Sequence, residues 1–193
     1  MKHIIADSFI FYKEVIPPKL IDLIVEEIEE LESVEDPEEA RVGGNDDYVG
    51  FKDLKIRNSK IRWWYETNWV SSLFSHYIGL ANNECWEYDL NILQSIQVTS
   101  YGREGHYHWH CDYGTSRDPN YTRKLSASLL VTDPADYDGG DLEIMDYSGN
   151  IIKAPKERGS IIIFDSRTPH RVTPILRGNR TSLVTWMYGP KLK

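Results

Sequence analysis

Between Tyr101 and Gly114 the chain places His106, His108, His110 and Asp112 at every second position. In an extended strand, alternate side chains leave one face about 6.6 Å apart, so a histidine and a carboxylate spaced this way can converge on one metal ion. Tyr107, Trp109 and Cys111 would then fill the opposite face. Of the six histidines, only His110 is followed two residues later by an aspartate, which marks His110 and Asp112 as candidate ligands. A third ligand has to come from a distant strand. The apolar run Ile161 to Phe164 reads as a buried strand, and the turn at Pro169 presents His170 at the start of the next one. Two histidines and a carboxylate that leave open positions form the facial set suited to mononuclear ferrous chemistry. An all-histidine site for zinc or copper from His106, His108 and His110 is the rival. It gives Asp112 and the distal Arg180 no role.

Arg180 opens the segment Arg-Thr-Ser-Leu-Val-Thr-Trp, where Arg180, Ser182, Val184 and Trp186 share one face of a strand. A buried guanidinium facing a metal site is unfavourable unless an anion neutralises it. Its planar fork, with a hydroxyl beside it, suits bidentate capture of a ligand carboxylate.

These side chains need a rigid frame, and the rest of the chain supplies the material for one. A chain of 193 residues with 40% hydrophobic content can bury a core as one globular domain. Its 22 Lys and Arg stand against 30 Asp and Glu, a formal charge of -8, which argues against a broad phosphate-binding surface and against nucleic acid as a partner. Cys85 and Cys111 make no disulfide framework, no apolar run approaches a membrane span, and the N-terminus lacks a signal pattern. A reducing, cytoplasmic setting is expected.

His3 to Tyr12 predicts an opening strand. Pro17 and Pro18 fit the first turn of a helix carrying Leu20, Ile21, Ile24, Val25, Ile28 and Leu31 as one apolar stripe, with Glu26, Glu27, Glu29 and Glu30 on a solvated face. The polar stretch from Glu32 to Gly50, with Asp46 and Asp47, reads as a long loop of the kind that forms lids. Trp63, Trp64, Trp69, Phe74 and Tyr77 are expected in or near a second helix, from about Thr67 to Ala81, ended by Asn82 and Asn83. Leu90 to Tyr101 alternates as one strand leading into the metal stretch. After it come a polar connection from Asp112 to Lys124, a strand Leu125 to Thr132, the turn Asp138-Gly139-Gly140, and strands at Leu142 to Met145 and Ile151 to Lys153. That cadence predicts a closed β architecture.

From about Gln94 to Tyr188 the chain resembles the double-stranded β-helix of the 2-oxoglutarate- and Fe(II)-dependent dioxygenases. Within that superfamily it is similar to the prolyl 4-hydroxylase-like branch, especially the bacterial PKHD-type hydroxylases. The features that match are Tyr101 and Tyr107 ahead of His110-Cys111-Asp112, then Leu125-Ser126-Ala127-Ser128-Leu129-Leu130 and Asp138-Gly139-Gly140-Asp141-Leu142. His170-Arg171-Val172 follows, and after it Arg180-Thr181-Ser182 with Trp186. The resemblance implies a mostly β chain with flanking helices (α+β), a jelly roll with two or more N-terminal supporting helices. It implies one dioxygenase domain over residues 1–193, with helical support and first strands in 1–89 and the β-helix core in 90–193.

It also implies chemistry. His110, Asp112 and His170 would hold Fe(II), Arg180, Ser182 and Tyr101 would bind the co-substrate 2-oxoglutarate, and Trp186 would shape that pocket. O2 is the oxidant, and ascorbate can act as reductant. The expected substrate is a peptidyl proline or another protein side chain, with Tyr107, His108, Tyr113, Arg117 and Tyr121 as contacts; Arg123 lies in the same connection. The same chemistry on a free amino acid or other small molecule, or a non-catalytic metal-binding jelly roll, are the alternatives. Arg180 stands where collagen-type prolyl hydroxylases use lysine, so their substrate does not transfer with the resemblance.

Overall fold

The computed structural model describes residues 3–6, 8–43, 50–65, 68–114 and 120–191. Asp46, Asp47 and Arg117 therefore lie outside the described residues. The first half contains β1 (His3–Ala6), β2 (Phe9–Tyr12), α1 (Pro18–Val34), β3 (Glu38–Glu39), β4 (Arg57–Asn58), β5 (Lys60–Trp64) and α2 (Trp69–Cys85). Then come β6 (Ile92–Leu93), β7 (Ile96–Tyr101), β8 (His106–His110), β9 (Tyr121–Leu130), β10 (Asp138–Gly139), β11 (Leu142–Met145) and β12 (Ile151–Lys153). The chain closes with β13 (Ile161–Asp165), β14 (His170–Val172), β15 (Ile175–Arg177) and β16 (Arg180–Pro190).

Two antiparallel sheets carry the architecture. The larger runs β1-β2-β13-β9-β16-β7-β5-β3, with β6 paired beside β16; the smaller runs β12-β11-β14-β8-β4. The larger sheet has two faces because its side chains alternate. Ile10 and Tyr12, Ile96 and Val98, Leu125, Ala127 and Leu129, Ile161 and Ile163, and Leu183 all join one core with the buried stripes of α1 and α2. Their sequence neighbours turn the other way. Phe9, Phe11, Tyr101, Ile162 and Phe164 meet Leu142, Ile144 and Val172 of the smaller sheet in a second core. Among the described residues, this mostly β arrangement with two α-helices and two facing sheets is consistent with a jelly roll.

The helix α1 starts at Pro18, as the paired prolines predict, and keeps Ile21, Ile24 and Ile28 buried. Several expectations shift. His3 to Tyr12 is a hairpin of β1 and β2 rather than one strand, and β2 also pairs with β13. Trp63 and Trp64 belong to β5, not to the second helix: Lys60 to Trp64 pairs with β7, and Ile61 and Trp63 face the cavity between the sheets. Asn82 and Asn83 lie inside α2. The Asn82 amide donates to the Tyr88 carbonyl and its oxygen accepts from the Tyr88 N–H, so a tertiary partner satisfies the side chain that would otherwise break the helix. The Leu90 to Tyr101 strand is split into β6 and β7. Asp138 and Gly139, expected in a turn, instead form β10 and pair with β15, and Gly140 after them (φ +60°) has no room for a methyl group, which would meet Ile175 Cδ1 at 2.3 Å and Arg180 Cδ at 3.1 Å.

Candidate metal and anion site

The sheets enclose a cavity of about 510 Å³. Strands β8 and β14 bring the first pair of candidate ligands together, because His110 lies directly opposite His170 in their ladder. Asp112 follows the end of β8, where its N–H donates to the Ser166 carbonyl at 2.9 Å. His110 Nε2 is 3.7 Å from Asp112 Oδ1, and His170 Nε2 is 3.5 Å from Asp112 Oδ2. The three ligating atoms all lie within 4.8 Å of one another.

The hydrogen bonds around these groups suit a divalent cation. His110 Nδ1 sits 2.7 Å from the His108 carbonyl, and His170 Nδ1 sits 3.0 Å from the Thr168 carbonyl. A carbonyl can only accept, so both Nδ1 atoms carry a proton, and Nε2, the nitrogen that faces Asp112, is the one placed to ligate. Burial pushes the His110 imidazole well down, helped by the charges of His170 and Arg57 and opposed by Asp112, which keeps the ring neutral as a ligand must be. Burial would raise the Asp112 carboxyl, but His170, His110, Arg123 and the Trp186 indole N–H outweigh it and hold the group well below the usual range. Asp112 Oδ2 accepts from Ser126 Oγ and from Trp186 Nε1, each at 2.8 Å. Two imidazoles with Nε2 turned to a shared, ionised and clamped carboxylate fit the facial set for Fe(II).

Arg180 lies across the same cavity and is 4% exposed. Its Nη1 donates to Ser182 Oγ at 3.1 Å, its guanidinium carbon is 5.8 Å from the centre of the Tyr101 ring, and Tyr101 is its partner across β7 and β16. Among the described residues no carboxylate forms an ion pair with it. Tyr101, Ser182 and Trp186 all line the cavity.

Regular alternation on β8 does not hold. Tyr107 pairs with Val172 while His110 pairs with His170, so β8 uses one residue more than β14 over that interval, a bulge. The bulge turns Tyr107 onto the His110 side, where the two rings stack with centroids 3.4 Å apart. His106 and His108 do not share the face of His110. His108 is exposed and does not line the cavity, while His106 sits between the Glu104 and Lys55 carbonyls at 2.8 and 3.1 Å. The Cys111 thiol donates to the Arg167 carbonyl at 3.2 Å. Tyr113 lines the cavity and is 42% exposed; Tyr121 begins β9 opposite Pro190 and does not line it.

Sequence reasoning missed Arg57 as a cavity residue and Ser126 as a partner of Asp112. Arg57 enters from β4, an edge strand paired with β8, and its guanidinium carbon is 4.5 Å from the centre of the Tyr107 ring. Nothing local in Ile-Arg-Asn-Ser announces that placement. Ser126 could have been found from the alternation of β9, since Leu125 and Ala127 face the helices.

Comparison with known proteins agrees with this geometry. Residues 96–188 match the sequence family described as the 2OG-Fe(II) oxygenase superfamily. A PKHD-type hydroxylase from Cupriavidus metallidurans is 34% identical over 101 residues, covering 50% of this chain and 44% of that protein. Another from Nitrosomonas europaea is 39% identical over 83 residues, covering 41% of this chain and 36% of that protein. The chain thus spans less than half the length of these curated relatives. Among solved structures, a Pseudomonas putida prolyl-4-hydroxylase superposes with TM-score 0.72 at 20% identity, covering 97% of this chain and 95% of the other. A prolyl hydroxylase from Trichoplax adhaerens, in complex with a hypoxia inducible factor peptide fragment, superposes with TM-score 0.78 at 18% identity, covering 95% and 84%.

Proposed function

Residues 96–188 belong to the 2OG-Fe(II) oxygenase superfamily, and from that premise we propose that the protein is an Fe(II)- and 2-oxoglutarate-dependent hydroxylase acting on a peptidyl proline or another protein side chain. The observation that carries this reading is the shared cavity: a His110, Asp112 and His170 cluster on one side and a buried Arg180 lacking an acidic partner, among the described residues, on the other. When bound, Fe(II) and 2-oxoglutarate supply oxidative decarboxylation of the keto acid by O2, with release of succinate and CO2 and transfer of one oxygen atom to a substrate C–H bond.

The protein's own contribution is placement. His110 Nε2, His170 Nε2 and an oxygen of Asp112 would hold the metal. Arg180 and Ser182 would take the distal carboxylate of 2-oxoglutarate, which would neutralise the guanidinium. Trp186 and Ser126 fix the carboxylate of Asp112, so that it presents one geometry to the metal. Tyr101 and Phe164, both buried, line the cavity. A protein substrate is supported by the Trichoplax neighbour, a prolyl hydroxylase in complex with a peptide fragment. We read residues 1–193 as one catalytic domain, supported by β1 and β2 joining the sheet of β9, β13 and β16.

The test is turnover. Purified protein with Fe(II), 2-oxoglutarate and O2 is expected to form succinate, faster with a proline-containing peptide that gains one oxygen in mass. His110→Ala and Asp112→Ala are expected to abolish both products. Absence of succinate in the wild type across a proline peptide and amino-acid panel would overturn the proposal.

A further inference from the structure

Arg57 is a buried cation to which the proposed reaction assigns no anion. Its side chain is 9% exposed and lines the cavity. Nε donates to Ser59 Oγ at 2.9 Å and Nη2 donates to Gln97 Oε1 at 3.0 Å, both neutral acceptors. The guanidinium lies over one face of Tyr107, and His110 stacks against the other at 3.4 Å. Among the described residues no carboxylate is within ion-pair distance of it.

Of the other charges that line the cavity, Arg41 is exposed and its Nη1 donates to the Gly50 carbonyl at 3.4 Å. Arg180 has 2-oxoglutarate in the reading above. Arg123 lies over the Trp186 ring at 3.7 Å and acts electrostatically on Asp112, which the metal also engages. At the rim, Glu38 and Glu39 are exposed, and Glu39 pairs with Lys52 at 3.0 Å. In a chain with net charge -8, a buried arginine facing a cavity with neutral neighbours is a site waiting for an anion. Its Nη1 donors and the second Nη2 hydrogen are left for a ligand.

We propose that the substrate supplies that anion: a carboxylate of the substrate docks on Arg57 beside Tyr107 while the C–H bond to be oxidised faces His110, Asp112 and His170. This rests on the hydroxylase reading and narrows its substrate class to carboxylate-bearing molecules. Gln97 and Ser59 hold the guanidinium in place, and the Tyr107 ring contacts both the guanidinium and His110, which puts the carboxylate site beside the His110 cluster. An acidic residue beside the target residue of a peptide and the free α-carboxylate of an amino acid offer the same chemistry.

Paired probes test this without altering the protein. Mn(II)-loaded wild type with saturating 2-oxoglutarate is titrated by calorimetry with blocked Asp-Pro against Asn-Pro, blocked Pro-Asp against Pro-Asn, and L-proline against L-prolinamide. In at least one pair the acid is expected to bind about ten-fold tighter than its amide or more, and the pair that does so identifies the source of the carboxylate. Arg57→Gln is expected to bring that preference to within about two-fold, while Arg57→Lys, which keeps the charge but loses the fork, retains part of it. Both variants are expected to keep 2-oxoglutarate affinity within about two-fold of wild type, which separates Arg57 from Arg180 and reports a folded site. Equal binding of acid and amide in every pair, or a preference that survives Arg57→Gln, would overturn the inference. Failure of 2-oxoglutarate to bind the wild type would instead overturn the hydroxylase reading, and this inference with it.

Discussion

At the scale of single residues, the candidate site is held by hydrogen bonds that orient each candidate ligand. The two histidines commit Nδ1 to backbone carbonyls and turn Nε2 toward Asp112, and Trp186 and Ser126 clamp that carboxylate from behind. Trp186→Phe keeps the ring volume and removes the N–H to Asp112, so metal affinity is expected to fall about ten-fold or more, checked by Mn(II) titration. Unchanged affinity would mean that Ser126 alone holds the carboxylate. Arg180→Ala removes the charged half of a buried carboxylate contact, expected to cost about 2–5 kcal/mol and so to raise the Kd of 2-oxoglutarate about thirty-fold or more. Metal binding in the same variant is expected to stay near wild type, because no metal ligand touches Arg180.

At the scale of elements, the site depends on strand register and on one turn. The Asp165 to Pro169 turn hands the chain from β13 to β14 and sets the Thr168 carbonyl that orients His170. Asp165 Oδ1 accepts from the Arg167 N–H and Nε, and Oδ2 accepts from Tyr88 at 2.6 Å. Burial would raise the Asp165 carboxyl, but Arg167 and Tyr88 outweigh it and hold it below its ordinary value of 3.8. A depressed folded-state value means the stabilisation is present above pH 3.8 and is lost as pH falls through the lower folded value. Asp165→Asn is therefore expected to cost about 2 kcal/mol at pH 7, and the gap to wild type is expected to close on acidification below pH 3.8. Urea unfolding across that range checks it; a pH-independent gap would contradict the assignment.

What was legible in the sequence follows from the same scale. The alternating faces of β9 and β16 could be read because burial on each face selects residue type at period two, while β13, apolar on both faces, could be read only as a buried strand. His110, Asp112, His170, Arg180 and Ser182 could be read because few residue types ligate metals or anions. The inward turn of Tyr107 could not, since a bulge is set by the neighbouring strand β14 and leaves no mark in composition. The entry of Arg57 was equally hidden, because it depends on β4 pairing with β8 across a long stretch of chain. Trp63 and Trp64 were misplaced for a related reason: an aromatic cluster packs on a sheet edge as readily as on a helix, and the pairing of β5 with β7 decided it.

At the scale of the whole molecule, two sheets with different work meet at the cavity. The larger sheet is held flat against α1 and α2 through one apolar face and offers Arg180, Ser182 and Trp186 on the other. The smaller sheet carries His110 and His170 on paired strands and Arg57 at its edge. No helix among the described residues is long and apolar enough to cross a membrane. The arrangement makes a single geometric demand, which a crystal structure of the protein with Mn(II) and 2-oxoglutarate under nitrogen would test most directly. The account predicts the metal at about 2.2 Å from His110 Nε2, His170 Nε2 and an oxygen of Asp112, with the distal carboxylate of 2-oxoglutarate on Arg180 and Ser182. A metal held by His106 or His108, or 2-oxoglutarate with its distal carboxylate away from Arg180, would contradict it.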